Sequence, residues 1–577
     1  MKSKNLRIRA GIFLLALLLL PASSFAGTYT LEIAKQTVNI TGKNVEKMTI
    51  NGQIPGPTLH FTEGEDVTVQ VTNHMDEPTS IHWHGFLIPA KMDGVPGFNN
   101  FPGIMPGKTF TYHFKVRQNG TYWYHSHSQL QEQEGLYGGI VITPKDADPV
   151  KAERDYVVVL SDFTDEAGDQ VLTHLKTIPG YYNYAKRTVG DFFHDVKTKG
   201  WAATWADRLA WGQMRMDPTD IADVSGYTFL MNGKTPQQNW TGLFKPGEKV
   251  RLRFINASAM SFYDVRIPGL KMQVVQADGR NVVPVPVDEF RFGVAETYDV
   301  IAQPKEDKAY TIAAESVDRT GFALGTLASR EGMKGPVPTP RARTQLTMAD
   351  MGMMDNMGGM DMGSMTHGKK QHNMPMMAHP SHNMHDMHHM NQHMPAKKAD
   401  DAARGWADAS TPAGHKALRY ADLRSLAPQA DTRAPGREIL VTLGGNMERY
   451  IWTINGKKFE ESGPINLKYG ERVRLKFVNE TMMAHPMHLH GMFVQLENGQ
   501  PANRLPDKHT VIVPPGGSYS VLLTADEPGE WAFHCHLLYH MASGMMRKVV
   551  VAKLSKDAMP QNMQSQPMDM GGHHHAH

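Results

Sequence analysis

The sequence of 577 residues predicts an all-β protein built from three related sandwich domains. A ten-residue segment at 64–73 recurs at 247–256 and at 470–479, and each copy alternates apolar and polar residues as a half-buried strand does. Each copy follows an Asn-Gly pair, which is typical of a tight β-hairpin. Three copies of one turn-and-strand unit indicate three copies of one two-sheet fold.

The length of the chain and its net charge limit the number of domains and the kinds of partner to expect. A protein of this size is expected to divide into several domains, and a net charge of +2 argues against nucleic acid as a partner. We predict a signal peptide at 1–26, a first domain at 27–147, a second domain with a helical insertion at 148–345, a Met/His-rich linker at 346–415, a third domain at 416–555 and a Met/His-rich tail at 556–577.

The N-terminus has the layout of a secretory signal. Basic residues precede a short apolar run at 12–20, and the small residues Ser24 and Ala26 suit cleavage near Ala26. The apolar run is too short to span a bilayer, although an uncleaved anchor is the alternative. We therefore predict export without stable membrane insertion.

A stretch of the second domain, at about 165–226, departs from strand-like alternation. Trp201, Trp205, Leu209 and Trp211 recur at near-helical spacing, which predicts helices. We expect these side chains to pack against the sandwich. A weaker alternative is a metal site formed by Met214, Met216 and Asp217.

The linker is a different kind of segment. Residues 346–400 hold 15 of the 38 methionines and eight of the 29 histidines among polar residues, Gly and Pro. Such a composition cannot bury a core, so a disordered linker is predicted. Because thioethers select Cu(I) and imidazoles also suit Cu(II), we interpret the linker as a segment that collects additional copper.

The only cysteine, Cys535, is surrounded by metal-ligating side chains. His540 and Met545 follow it, and His485 begins a separate histidine cluster that supplies a second imidazole. A thiolate, two imidazoles and a weak thioether form the ligand set of a blue copper site. The alternative is a buried cysteine that acts as a small hydrophobic residue. We call His485, Cys535, His540 and Met545 the mononuclear site.

Eight further histidines form four His-x-His pairs, and residues two apart in a strand face the same side. We call these eight side chains the imidazole cluster: His82, His84, His125, His127, His488, His490, His534 and His536. Alignment of the first repeat with the third retains all eight but replaces the mononuclear ligands by Thr79, Ser126, Gln131 and Leu136. The cluster is therefore expected between the first and third domains, and the second domain is interpreted as a spacer without copper ligands. Seven scattered histidines, His509 among them, are expected to have ordinary roles.

Four His-x-His motifs in this order resemble the multicopper oxidase family, and most of all its bacterial periplasmic copper-resistance branch. The resemblance implies three cupredoxin-like Greek-key domains, a periplasmic location and four copper ions. It assigns a type 1 copper to the mononuclear site, a type 2 copper to His82 and His488, and a binuclear type 3 centre to His84, His125, His127, His490, His534 and His536. It also implies that O2 is reduced to water while Cu(I) or a small organic donor is oxidised.

Two more residues follow from the resemblance. Asp93 matches an acidic residue near the type 2 copper and is a candidate proton relay, although it is also a typical turn residue before Gly94. Bacterial relatives carry a glutamate where this chain has Met541. Met483 matches a residue near the cuprous entry site of relatives, while Thr481 replaces an aspartate there.

Three functions remain open on the sequence. They are a periplasmic cuprous oxidase that confers copper tolerance, a laccase-type oxidase of phenolic donors, and a copper-sequestering protein. The linker favours the first and third, whereas the complete set of ten histidines and one cysteine favours the first and second.

Overall fold

The computed structural model describes residues 26–343, 345–347, 350 and 411–553. The predicted signal peptide, most of the predicted linker and the tail lie outside the described residues. The described chain folds into six β-sheets that pair into three sandwiches. No helix in these described ranges is long and apolar enough to cross a membrane.

The first sandwich contains two four-stranded sheets, with strand orders β2-β1-β4-β6 and β3-β8-β7-β5. Its strands are β1 (Ala26–Val38), β2 (Val45–Ile50), β3 (Gly56–Thr62), β4 (Asp66–Asn73), β5 (His82–His84), β6 (Thr109–Lys115), β7 (Gly120–His125) and β8 (Tyr137–Thr143). The parallel pairing of β1 with β4 and of β3 with β8 gives each sheet a crossover connection.

The second sandwich pairs a six-stranded sheet, β10-β9-β12-β17-β14-β15, with a five-stranded sheet, β11-β19-β18-β13-β16. Its strands are β9 (Arg154–Phe163), β10 (Thr228–Met231), β11 (Trp240–Leu243), β12 (Val250–Asn256), β13 (Tyr263–Arg266), β14 (Met272–Ala277), β15 (Arg280–Val287), β16 (Glu289–Phe292), β17 (Thr297–Ala302), β18 (Tyr310–Ser316) and β19 (Phe322–Ala328).

The third sandwich also has a six-stranded sheet, β21-β20-β23-β28-β25-β26, and a five-stranded sheet, β22-β30-β29-β24-β27. Its strands are β20 (Arg437–Asn446), β21 (Ile451–Ile454), β22 (Ile465–Lys468), β23 (Arg472–Asn479), β24 (His485–Leu489), β25 (Val494–Leu496), β26 (Asp507–Lys508), β27 (Thr510–Val513), β28 (Ser518–Thr524), β29 (Gly529–Cys535) and β30 (Met546–Ala552). Before β20, residues near 418–424 bond to the second sandwich, where Leu418 N–H donates to the Glu289 carbonyl at 3.0 Å.

The sequence repeat corresponds to β4, β12 and β23, which lie in the interior of their sheets. The asparagine of each preceding Asn-Gly pair has a positive φ of 50–53°, a conformation that asparagine tolerates. Its side-chain oxygen accepts a backbone N–H from a neighbouring strand at 2.7 Å in every copy; the asparagines are Asn51, Asn232 and Asn455. The repeat therefore preserves a turn chemistry as well as an apolar pattern.

The helical insertion contains α1 (Gly168–Thr177), α2 (Val189–Lys199) and α3 (Trp201–Met214). The expected packing of α3 against the sandwich is wrong for three of its four large residues. Trp211 is buried, but Trp201, Trp205 and Leu209 are 61%, 54% and 51% exposed. The reason is that α3 packs against α2, and the Trp201 and Trp205 rings lie parallel on the outside of this hairpin.

Candidate copper centre

Three elements of the third sandwich bring the mononuclear site together. His485 begins β24, Cys535 ends β29, and His540 lies on a short helix, α4 (Leu538–Ala542). The Cys535 Sγ lies 3.5 Å from His485 Nδ1 and 3.7 Å from His540 Nδ1, and the two nitrogens are 3.2 Å apart. Met545 is fully buried after α4, and its carbonyl accepts the Cys535 N–H at 3.1 Å.

The donor set and its burial fit copper. Burial raises the pKa of the Cys535 thiol far above its usual range, so a thiolate here needs a bound cation. Burial, together with the nearby His540, holds the pKa of His485 well below its ordinary value, which keeps its ring neutral and able to bind metal. The predicted ligands are therefore gathered in a dry pocket that suits a soft metal ion.

Each imidazole of the mononuclear site contacts a protein oxygen through the ring nitrogen that faces away from the thiol. His485 Nε2 lies 2.7 Å from the Thr481 hydroxyl, and His540 Nε2 lies 2.6 Å from Asp223 Oδ2. These contacts leave both Nδ1 atoms directed at the thiol. The Trp452 ring stacks on His540 with a centroid distance of 3.7 Å, which covers the site on that side.

The imidazole cluster lies between the first and third sandwiches. Strands β5 and β7 pair His82 with His125, and strands β24 and β29 pair His488 with His534. Across the two sandwiches, His536 Nε2 lies 3.3 Å from His125 Nε2. Three groups of ligand atoms each lie within 4.8 Å of one another; they are His82, His84 and His488; His84, His125 and His536; and His127, His490 and His534.

The orientation of the rings supports metal binding. Several Nδ1 atoms face protein oxygens, such as His488 Nδ1 on the His509 carbonyl at 2.7 Å and His534 Nδ1 on the Cys535 carbonyl at 2.9 Å. His82 Nε2, His84 Nδ1 and His488 Nε2 are buried and have no hydrogen-bond partner in the described part of the chain. Buried orphaned nitrogens are rare, and inward lone pairs are what metal ligation requires.

Burial keeps seven imidazoles of the cluster neutral. It holds the pKa of His84, His125, His127, His488, His490 and His536 well below the ordinary histidine value, and it lowers the pKa of His534 to about 3. Neutral imidazoles with converging lone pairs can bind several metal ions in one cavity.

Asp93 lies against two members of the cluster. Its Oδ2 is 3.0 Å from His490 Nδ1, and its carbonyl is 2.8 Å from His82 Nδ1. The side chain is buried, and Oδ1 has no hydrogen-bond partner among the described residues. Asp93 therefore contacts one histidine predicted to bind the type 2 copper, His82, and one predicted to bind the type 3 centre, His490.

A second carboxylate, Glu132, was not predicted from the sequence and lies in the loop between β7 and β8. Its Oε2 lies 3.0 Å from His125 Nδ1, and its Oε1 lies 4.0 Å from His536 Nδ1. Burial raises the pKa of Glu132 well above its usual range. The family resemblance implies an acid at the position of Met541; in this chain a carboxylate reaches the cluster from the first sandwich. No local motif marks this residue.

The expectation of an ordinary role for His509 is wrong. Its Nδ1 lies 3.2 Å from His84 Nε2, and burial lowers the pKa of His509 to about 4. Asp278, from the second sandwich, accepts the backbone N–H groups of His509 and Thr510 at 3.0 Å. Among the described residues, the second domain contributes no member of the imidazole cluster or of the mononuclear site, but it supports the loop that holds this additional histidine against the cluster.

A three-domain fold with a thiolate site joined through Cys535 to a cluster of eight imidazoles defines a copper-dependent oxidoreductase. Three family profiles described as multicopper oxidase match residues 32–147, 186–331 and 432–555. The chain belongs to the multicopper oxidase family, whose members bind four copper ions and use O2 as the electron acceptor.

Particular relatives are similar along almost the whole chain. Copper resistance protein A of Escherichia coli is 50% identical, over 92% of this chain and 93% of that protein. A copper resistance protein A homolog of Pseudomonas syringae pv. tomato is 52% identical, over 91% and 92%. Among solved structures, the multicopper oxidase Fet3p matches with a TM-score of 0.65 at 19% identity, covering 91% of this chain and 90% of that one. The laccase from Botrytis aclada matches with a TM-score of 0.63 at 21% identity, covering 91% and 88%.

Proposed function

We propose that this protein is a periplasmic cuprous oxidase that protects the cell from copper by converting Cu(I) to Cu(II). In balanced form, four Cu(I) ions, one O2 and four protons give four Cu(II) ions and two water molecules. Relatives that are about half identical carry the name copper resistance protein A. The predicted signal peptide supports the periplasmic location.

The observation that best supports Cu(I) as the electron donor is a pocket of about 130 Å³ beside the mononuclear site. The half-buried residues Met214 and Met216, at the end of the helical insertion, and Met447, from the third sandwich, line it. Thioethers are soft ligands that select Cu(I) over hard cations. Trp452 and Thr481 also line the pocket and contact the two imidazoles of the mononuclear site.

Two other residues predicted as possible copper ligands near this pocket, Asp217 and Met483, are less available to an incoming Cu(I) ion. Asp217 accepts hydrogen bonds from the backbone N–H and hydroxyl of Thr219. Met483 is buried in the core, with 3% exposure. We therefore assign the first contact with Cu(I) to the pocket methionines. We propose that Met483, whose backbone N–H lies 3.3 Å from the hydroxyl of the pocket residue Thr481, is a later thioether contact.

The backbone around Cys535 provides a path for electrons from the mononuclear site to the imidazole cluster. Copper ions held by the mononuclear site and the imidazole cluster would supply the one-electron chemistry that couples four oxidations of the donor to one four-electron reduction of O2. Cys535 joins the mononuclear site covalently to His534 and His536, and its carbonyl contacts His534 Nδ1 at 2.9 Å. We propose that buried Asp93 delivers protons, because its Oδ2 lies 3.0 Å from His490 Nδ1.

The test is Cu(I)-driven oxygen uptake by fully copper-loaded protein, compared with uptake driven by a phenol. Replacement of Met214, Met216 and Met447 together by leucine should raise the KM for Cu(I) about tenfold or more and leave the phenol reaction unchanged. The matched control is Met105→Leu, which removes a 40% exposed thioether from the first sandwich. Uptake driven by phenol but not by Cu(I) would replace this proposal by a laccase-type function.

We also propose that the predicted linker gathers copper for this pocket. Deletion of residues 351–410 should raise the Cu(I) concentration needed for half-maximal uptake while leaving the maximal rate unchanged. Copper tolerance that persists when Cys535 is replaced but disappears with the deletion would indicate sequestration as the principal function.

A further inference from the structure

The ligands of the mononuclear site are completely buried in the described structure. His485, Cys535, His540 and Met545 all have 0% exposure. A donor that arrives from solvent therefore cannot contact any of these ligands directly. Its electron must cross an intervening side chain before it reaches the site.

One tryptophan contacts both the pocket proposed for Cu(I) and a ligand of the mononuclear site. Trp452, in β21, lines this pocket together with the three methionines. Its ring stacks on the His540 ring at a centroid distance of 3.7 Å and an interplanar angle of 22°. Because Trp452 is completely buried whereas the pocket methionines are half-buried, its ring forms the inner wall of the pocket.

We propose that the Trp452 ring is the group through which the electron of the donor enters the mononuclear site. One electron leaves a Cu(I) ion held by the pocket methionines, which becomes Cu(II), and passes through the ring to the thiolate site, where Cu(II) is reduced to Cu(I); no proton moves. Electron transfer between groups that do not touch weakens steeply with distance and is favoured where π-orbitals overlap. Stacked aromatic rings provide such an overlap.

The local chain is arranged to hold the indole in this position. Gly445 pairs with Trp452 across β20 and β21, and a Cβ at Gly445 would lie 2.5 Å from Trp452 Cε3. Glycine within a strand often marks the close approach of another group, and here it leaves room for the ring. The Trp452 N–H donates to the Ser543 carbonyl at 3.2 Å, which ties β21 to the residue that follows α4. Both contacts fix the ring relative to His540.

A second route from the pocket runs through Thr481, whose hydroxyl lies 2.7 Å from His485 Nε2. Its side chain is saturated, and the hydroxyl also donates to Asn479 Oδ1 at 2.9 Å. A saturated side chain couples two redox centres more weakly than two rings in contact, so entry is assigned to Trp452. The assignment rests on the proposed function for the identity of the donor.

The test is anaerobic reduction of the full copper-loaded chain by Cu(I), followed by stopped-flow measurement of the thiolate-to-copper absorption. Trp452→Leu should lower the limiting rate constant at saturating Cu(I) at least tenfold. The Cu(I) concentration that gives half of this rate should stay the same, because the pocket methionines remain. Trp452→Phe keeps an aromatic ring and should recover most of the rate. The reduction potential, measured by redox titration, should be unchanged, because the ring is uncharged and is not a ligand.

Trp531→Leu is the matched control, because Trp531 is an equally buried tryptophan of the third sandwich and does not line the pocket in the described structure. Its reduction by Cu(I) should be as fast as that of the unsubstituted protein. Gly445→Ala keeps the indole but displaces it, so reduction should be slower. Thr481→Val removes the hydroxyl of the second route and should slow reduction less than Trp452→Leu does.

An unchanged limiting rate in Trp452→Leu with an intact blue absorption would overturn the proposal, as would a loss of rate fully explained by a changed reduction potential. A larger loss in Thr481→Val than in Trp452→Leu would move the entry to Thr481. If Trp452→Leu does not fold, Gly445→Ala decides, since an unchanged rate there contradicts entry through the ring. Failure of Cu(I) to reduce the unsubstituted protein would instead contradict the proposed function, and with it the donor on which this inference rests.

Discussion

The role of His509 as a support for the imidazole cluster leads to a sharp test at Gly85. This glycine follows His84 and has φ +79°, and a Cβ there would lie 2.4 Å from His509 Cδ2. Gly85→Ala therefore combines a left-handed backbone, which costs roughly 1–2 kcal/mol, with overpacking, which costs roughly 1–3 kcal/mol. We expect a loss of about 2–5 kcal/mol in the free energy of unfolding.

Gly52→Ala is the matched control for the backbone cost. Gly52 has φ +75°, and a Cβ there would meet nothing closer than a flexible glutamine oxygen at 3.7 Å. It should lose only the first 1–2 kcal/mol or so. The assays are denaturant unfolding, copper content and the spectra of the cluster coppers.

The two variants separate strain from function. Gly85→Ala should push His509 toward His84 and disturb the cluster spectra, whereas Gly52→Ala should leave them unchanged. Equal losses of stability in the two variants, with identical cluster spectra, would show that His509 does not support the cluster.

Three further predictions follow from the site. Cys535→Ser should abolish the intense blue absorption and oxidase turnover while leaving the other three of the four coppers bound. Visible spectra and metal analysis check this, and a variant that remains blue would refute the ligand assignment. Asp93→Asn should slow oxygen reduction at least tenfold without changing the blue absorption, since the Asp93 carboxylate contacts His82 and His490 and no ligand of the mononuclear site in the described structure. Unchanged steady-state oxygen uptake would remove Asp93 from the proton path. The copper-free protein should lose stability as the pH falls below about 6.5. The pKa of His534 falls from 6.5 unfolded to about 3 folded, and that of His509 falls to about 4. Between those values the unfolded chain binds more protons, so acid favours unfolding. Thermal unfolding of the copper-free chain from pH 7 to pH 4 should show this loss, and a melting temperature independent of pH would contradict it.

The sequence reveals those parts of the site whose signal is local. A His-x-His pair places two rings on one face of a strand wherever that strand lies, so the eight histidines of the imidazole cluster were predictable before their partners were known. The mononuclear site was predictable from the short spacing of Cys535, His540 and Met545. The repeat was predictable for the same reason, because alternation and turn chemistry are properties of short segments.

The supporting residues had no such signal. Asp223 meets His540 across 317 positions of sequence, and His509 meets His84 across 425. Neither residue lies in a motif, and only the docking of the sandwiches brings these pairs together. The helical spacing of Trp201 and Trp205 likewise predicted a helix correctly, but periodicity does not say what covers an apolar face, and here the hairpin leaves both rings exposed.

The first sandwich shows what the fold does where the mononuclear ligands are missing. Thr79, Ser126 and Gln131 occupy the positions that correspond to His485, Cys535 and His540. Both hydroxyls donate to the single Gln131 Oε1, at 2.7 and 2.8 Å, and all three side chains are buried.

Leu136, at the position of Met545, is fully buried beside this neutral network. The same backbone therefore holds three converging polar side chains in both sandwiches, and hydrogen bonds replace metal bonds in the first. Since buried polar groups need partners, this network satisfies the polar side chains that the first sandwich has at these positions without a metal ion. The eight imidazoles shared with the third sandwich lie outside this network, so the first sandwich contributes to the cluster alone.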